Sequence, residues 1–76
     1  MKIAEALTLS SLKDSFHRLV EEMKPHNEIE ITTQSIDTAG IQFLLAVKKS
    51  RPSIKIHLSS AEAKELAKLL GAEKCL

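Results

Sequence analysis

Apolar residues recur at two different spacings along this chain, and the spacings predict alternating strands and helices. Over Glu28–Thr32 and Ile54–Leu58 apolar and polar residues alternate and β-branched side chains are common, so both segments are predicted strands. Residues Ile3–Leu9 alternate more weakly, and a first strand is expected there without defined ends. The next apolar residues recur at helical intervals and predict one apolar face: Leu12, Phe16, Leu19, Val20 and Met23.

Capping residues and a proline predict the bounds of the first helix. Ser10 and Ser11 are candidate N-caps, and Ser11 with Asp14 has the spacing of a capping box. Pro25 ends the helix, because a proline disfavours helical geometry at the residue before it. The turn after it leads into the second predicted strand.

Two further helices follow the second and third strands. A helix is predicted over Thr38–Lys49, and because its segment Ile41–Val47 is apolar almost all round, we expect that helix to be mostly buried. A last helix is predicted over Ser59–Leu70, where Ser59 and Glu62 have capping-box spacing and Gly71 suits a left-handed C-cap. Its predicted apolar stripe is Ala63, Leu66, Ala67, Leu69 and Leu70.

The element order is therefore β-α-β-α-β-α, which predicts an α/β fold. Right-handed crossovers between such strands give a mainly parallel sheet packed by helices. With 76 residues, a single domain over positions 1–76 is expected. Hydrophobic residues make up 43% of the chain, which is enough for a core and argues against disorder.

The charge balance argues against nucleic acid as a partner. The chain has 11 basic and 10 acidic residues, whereas nucleic-acid binding usually needs a concentrated basic face. The one basic cluster, Lys48, Lys49 and Arg51, falls where a helix is predicted to end, and cations are favoured there by the helix dipole. We prefer that interpretation to a phosphate-binding patch.

The apolar segments and the single cysteine indicate a cytoplasmic protein. Cys75 has no partner for an internal disulfide, which fits a reducing compartment. The first residues lack the apolar run of a signal peptide. The apolar stretch Ile41–Val47 is too short to cross a bilayer, so no membrane insertion is expected.

Residues suited to catalysis or metal binding are few and scattered. The histidines His17, His26 and His57 fall on a helix, a turn and a strand, without the short spacing of a zinc site. Cys75 has no histidine near it in the sequence, and the two glycines lie in different elements rather than in a phosphate loop. We therefore expect no enzymatic activity, no metal and no cofactor.

One constellation remains, at the start of the second helix. Asp37 and Thr38 precede Ala39 and Gly40, where free N–H groups and the positive end of a helix dipole favour an anion. Asp and Thr are also ordinary N-cap residues, so capping alone is a sufficient explanation of the pattern.

The segment Ile36-Asp37-Thr38-Ala39-Gly40-Ile41-Gln42-Phe43-Leu44-Leu45 resembles the signature of the STAS domain family, the bacterial anti-sigma factor antagonists. The Thr-Ala-Gly-Ile-Gln form is similar to short STAS proteins of chemotaxis operons and to the STAS subunit of the phospholipid-transport ATPase. The strands on either side and the last helix agree with the family pattern. The resemblance covers most of the chain from about Leu7 onward.

The resemblance implies a site and a kind of partner. The hydroxyl residue after the Asp is the family's phosphoacceptor, here Thr38, and Asp37 belongs to the same phosphorylation and docking surface. Around this helix start the expected partner-binding residues are Asp37, Thr38, Ala39, Gly40 and Gln42. The implied partner is a kinase-like anti-sigma factor, a chemotaxis complex or a transporter ATPase.

Two interpretations of function stay open at this point. In the first, the chain is a regulatory binding module whose docking is switched at Thr38. In the second, it is a constitutive subunit of a transporter ATPase complex and is never phosphorylated. The small core also leaves room for self-association as a homodimer to add stability.

Overall fold

A computed structural model describes all residues from 1 to 76. Its elements are β1 (Lys2–Ile3), α1 (Leu9–Met23), β2 (Glu28–Ile31), α2 (Thr38–Ser50), β3 (Lys55–Leu58) and α3 (Ala61–Leu69), followed by a 3₁₀ turn at Glu73–Cys75. The predicted order β-α-β-α-β-α is confirmed. The 3₁₀ turn was not predicted from the sequence.

The three strands form one parallel sheet in the order β1-β2-β3. Ile29 pairs with Ile56 and Ile3 with Ile31, so β2 lies in the centre. This confirms that the second and third predicted strands are parallel neighbours joined by the crossover helix α2. A further parallel bridge joins Leu7 to Ile36, beyond the ends of β1 and β2.

The two faces of the sheet differ in polarity. One face carries the buried side chains Ile3, Ile29, Ile31 and Ile56, which pack with residues of the helices in the core. The opposite face is lined by Lys2, Glu28, Glu30, Lys55 and His57, of which only Glu30 is half-buried and the rest are exposed. The helices therefore cover one face of the sheet only, and the protein has two layers.

The start of α1 differs from the prediction. Thr8, not Ser10 or Ser11, is the N-cap, and the capping box joins Thr8 to Ser11 rather than Ser11 to Asp14. The Leu7 N–H donates to the Ser35 carbonyl at 2.8 Å and its side chain is fully buried, which fixes the chain in an extended form up to Thr8. The predicted strand over residues 3–9 is therefore wrong in extent, since the helix begins at position 9.

The cap of α3 is also one residue later than predicted. Ser60 is the N-cap and its hydroxyl accepts from the Ala63 N–H at 3.1 Å, whereas the Ser59 hydroxyl bonds to the Glu30 carboxylate at 2.7 Å. The expected left-handed glycine is confirmed, because Gly71 has a φ of 68°.

Each helix is more exposed to solvent than its apolar residues predicted. Leu69 is 82% exposed and Leu70 45% exposed, although both were assigned to the apolar stripe of α3. Phe16 on α1 is 46% exposed. In α2, four residues are buried but a strip remains exposed to solvent: Thr38, Gln42, Ala46 and Lys49.

Candidate functional site

Asp37 joins the N-terminal ends of two helices. As the N-cap of α2, its Oδ1 accepts from the Gly40 N–H at 3.2 Å. Its Oδ2 accepts from the Leu9 N–H, the first residue of α1, at 3.0 Å. One carboxylate thus satisfies otherwise unpaired donors of both helices, and it lies where two positive dipole ends converge.

The same hydrogen bonds change the acidity of Asp37. They lower the pKa of its carboxyl below the ordinary value, and the largest cause is the bond from the Leu9 N–H; the bond from Gly40 acts in the same direction against partial desolvation. Donors aimed at a carboxylate favour its charged form. The Asp37 carboxylate therefore stays charged at lower pH than an ordinary aspartate does.

Gly40 is required by the close approach of α2 to the segment before α1. A Cβ placed on Gly40 would lie 2.2 Å from the Leu7 carbonyl oxygen and 2.7 Å from Cγ1 of Ile36. Gly40 is buried, so among the expected partner-binding residues it offers no surface to a partner. Its role at this site is to let the two backbones meet.

Thr38, the expected phosphoacceptor, is the first residue of α2 and is exposed. No protein group hydrogen-bonds to its hydroxyl. It lines an open groove of about 320 Å³ between the start of α2 and α3. The other lining residues are apolar or acidic: Ile36, Asp37, Glu62, Glu65, Leu66 and Leu69.

The remaining expected site residues lie on the same helix start with different exposure. Gln42 is exposed one turn after Thr38, and Ala39 is half-buried. Asp37, Thr38 and Gln42 thus present polar atoms on one surface, while Ala39 and Gly40 mainly position it.

Two features of this surface were missed by sequence reasoning. Leu9, which is 60% exposed, is held against the site through its own N–H, and Leu69 on α3 lies in the groove with Thr38. Both are far from position 38 in the chain, and no local pattern connects them to it. Gln34 connects the segment before α2 to the start of α3, since its side-chain oxygen accepts a hydrogen bond from the Glu62 N–H at 3.3 Å.

The histidines and the cysteine form no site together. His17, His26, His57 and Cys75 are all exposed, and His57 lies 3.9 Å from the Glu28 carboxylate across the open face of the sheet. No group of three or more His, Cys, Asp or Glu side chains is placed to hold a metal ion.

The basic cluster at the end of α2 has structural partners. Arg51 donates to the Met23 carbonyl at 2.9 Å and to the His26 carbonyl at 2.7 Å, and so caps the C-terminal end of α1. The Lys48 ammonium donates to the Ile54 carbonyl. Of the three cations, only Lys49 makes no such bond.

Comparisons with protein-family models, curated proteins and solved structures find no match to this chain. None of its helices has the length and apolar character needed to cross a membrane.

Proposed function

We propose that this chain is a non-enzymatic, cytoplasmic protein-binding module of the STAS type, whose docking to a protein partner is switched by phosphorylation of Thr38. The observation that supports it most is the placement of Thr38. Its hydroxyl is exposed, makes no bond within the fold and lies beside a carboxylate that caps two helices.

The fold should tolerate a phosphate at this position. Phosphorylation adds about −1.5 to −2 charges and three acceptor oxygens. The N-terminal ends of α1 and α2 converge here, and each favours an anion by roughly 0.3–1 kcal/mol. Asp37, Glu62 and Glu65 oppose the added charge, but Thr38 faces water, where salt screens the repulsion.

The effect on a partner should be larger than the effect on the fold. A partner packed over Thr38 would have to desolvate the phosphate next to an already acidic groove. Burying a charge without a counter-ion costs several kcal/mol, which is enough to abolish micromolar binding. Phosphorylation would therefore release the partner while the domain stays folded.

The test compares substitutions at Thr38 with a matched charge elsewhere. A partner recovered with the wild-type protein is purified, and its affinity for each variant is measured by calorimetry. We expect Thr38→Glu to lose binding and Thr38→Ala to keep it. Ser53→Glu, which adds the same charge in an exposed turn beyond the far end of α2, should bind like wild type. Thermal melting confirms that all variants are folded.

A second candidate function is favoured by the apolar part of the groove. Leu66 and the 82% exposed Leu69 lie beside Thr38, and exposed apolar side chains of this kind suit a permanent interface. The chain would then be a constitutive subunit of a transporter ATPase complex. Equal affinity of Thr38→Glu and wild type would favour this function and contradict the switch.

A further inference from the structure

The two aromatic side chains of the chain lie together, on a surface that the Thr38 site does not use. Phe16 of α1 and Phe43 of α2 meet edge to face with ring centroids 5.6 Å apart. They line an open groove of about 270 Å³ between the C-terminal halves of α1 and α2, together with Val20, Met23, Ala46 and Val47. We call this surface the α1–α2 groove.

Phe16 is the exposed part of this groove. Its side chain is 46% exposed, whereas Phe43 is 6% exposed and belongs to the core. Aromatic residues and methionine are enriched at the centres of protein interfaces, where they act as anchors in water-excluding pockets. An open apolar groove with an aromatic wall therefore indicates a binding surface.

Both charged side chains that line the groove are cations, and one of them has no carboxylate partner, which favours an acidic occupant. The two are Lys24 and Arg51. Arg51 is bonded to backbone carbonyls, which leave its charge in place, and no carboxylate pairs with it. Lys24 pairs with Glu21 at 2.8 Å. Lys13 and Lys49 add further exposed, unpaired cations, each three residues from a groove residue.

We propose that the α1–α2 groove binds an amphipathic helix of a partner protein whose polar residues are acidic. In this mode of recognition the apolar face of a helix enters a groove and anchors at positions i, i+3 or i+4, and i+7. The groove wall from Phe16 to Lys24 is about 12 Å long, which matches roughly two turns of a bound helix. The cations at its rim would then face the acidic residues of that helix.

The charge also argues against a second copy of the chain as the occupant. In a symmetric dimer the same patch meets itself, so the cationic rims would face one another. Like charges brought together across an interface are unfavourable. The groove begins more than one helical turn beyond Thr38, so this proposal does not depend on phosphorylation there.

The test uses two synthetic helical peptides that differ only in charge. Both carry leucine at i, i+3, i+7 and i+10, and one has glutamate where the other has lysine. Binding to ¹⁵N-labelled protein is followed by chemical-shift changes. We expect the glutamate peptide to perturb residues of the α1–α2 groove, and to bind at least about tenfold more tightly than the lysine peptide.

A pair of substitutions at Ala46 locates the site. Ala46 is exposed and lines the groove, so either charged side chain can be accommodated without burying it. The Ala46→Glu variant should bind the glutamate peptide about tenfold more weakly than wild type, whereas the Ala46→Lys variant should bind it at least as tightly as wild type. Leu69→Ala, which removes an exposed leucine from a different surface, should leave the affinity unchanged.

Several results would overturn the proposal. These are no binding of the glutamate peptide at millimolar concentration, equal binding of the two peptides, and shift changes centred on Thr38 or α3. An equal loss of affinity for the glutamate peptide in both Ala46 variants would mean that the size of the side chain at position 46, rather than its charge, controls binding. Self-association of the free protein that disappears in Phe16→Ala would assign the groove to a second copy.

Discussion

The two ends of α2 are held in place by different kinds of contact. At its N-terminal end, Gly40 meets the Leu7 carbonyl with no room for a side chain, and the Asp37 carboxylate bonds to two backbones. At its C-terminal end, the long side chains of Lys48 and Arg51 reach the carbonyls of other segments. The first end is a fixed platform that exposes Thr38, and the second leaves a groove open beside α1.

The two ends also differ in charge. The groove at Thr38 is lined by Asp37, Glu62 and Glu65, whereas the α1–α2 groove is lined by Lys24 and Arg51. Each sign agrees with the dipole of α2, which favours anions at its start and cations at its end. One helix thus separates an acidic surface from a basic one, and the two surfaces suit partners of different chemistry.

The largest effect should come from filling the space at Gly40. Gly40→Ala places a Cβ against the Leu7 carbonyl, and because backbone must move to relieve the contact, we expect a loss of about 3 kcal/mol or more. Gly71→Ala is the matched control, since nothing lies within 4 Å of its Cβ and only its left-handed φ is strained. It should cost about 1–2 kcal/mol.

Urea unfolding of both glycine variants measures this difference. Equal losses at the two positions would mean that α2 can shift away from Leu7 at little cost. The contact with Leu7 would then not fix the N-terminal end of α2 in place.

A smaller effect is expected when the Asp37 carboxylate is changed. Asp37→Ala removes both caps and should cost about 2 kcal/mol, whereas Asp14→Ala, at an exposed position outside any cap, should cost almost nothing. Asp37→Asn keeps one acceptor and should fall between them. Denaturant unfolding at neutral pH checks the order of the three variants.

The pH dependence of the stability that Asp37 contributes tests the same hydrogen bonds independently. Because its pKa is lower in the folded protein than in the unfolded chain, the unfolded chain takes up the proton more readily. The stability that the carboxylate contributes is complete above the ordinary pKa of an aspartate in the unfolded chain, and it is lost as the pH falls through the lower folded pKa. The stability difference between wild type and Asp37→Asn should therefore shrink in acid. A difference independent of pH would contradict the geometry at Leu9.

The smallest effect should come from the other end of α2. Arg51→Ala removes two bonds to the carbonyls that end α1, and we expect a loss of about 1 kcal/mol because water can replace part of the interaction. Lys49→Ala removes a neighbouring cation without a bond and should leave the melting temperature unchanged. Similar losses of stability in both variants would indicate that positive charge, rather than the capping of α1, stabilises this end of α2.

Local patterns were sufficient for most elements of the fold. Alternation in β2 and β3, the stop at Pro25 and the glycine at position 71 each depend on residues next to one another, and each prediction is confirmed. The cap predictions are wrong at Thr8 and Ser60, where other hydroxyl residues lie close by in the chain: Ser10 and Ser11 near the first, and Ser59 next to the second. All of them can cap a helix, so the choice between them depends on contacts that hold the preceding chain extended.

The candidate site also has a part that local sequence predicts and a part that depends on tertiary contacts. Asp37, Thr38 and Gly40 are neighbours in the chain, and the sequence by itself determined that they open a helix. Only the tertiary structure decided that Asp37 also caps α1 from 28 residues away, and that Leu69 borders Thr38. The parallel crossover brings these distant residues together. Contacts between residues so far apart in the chain produce no periodic pattern in the sequence, so they could not be predicted from it.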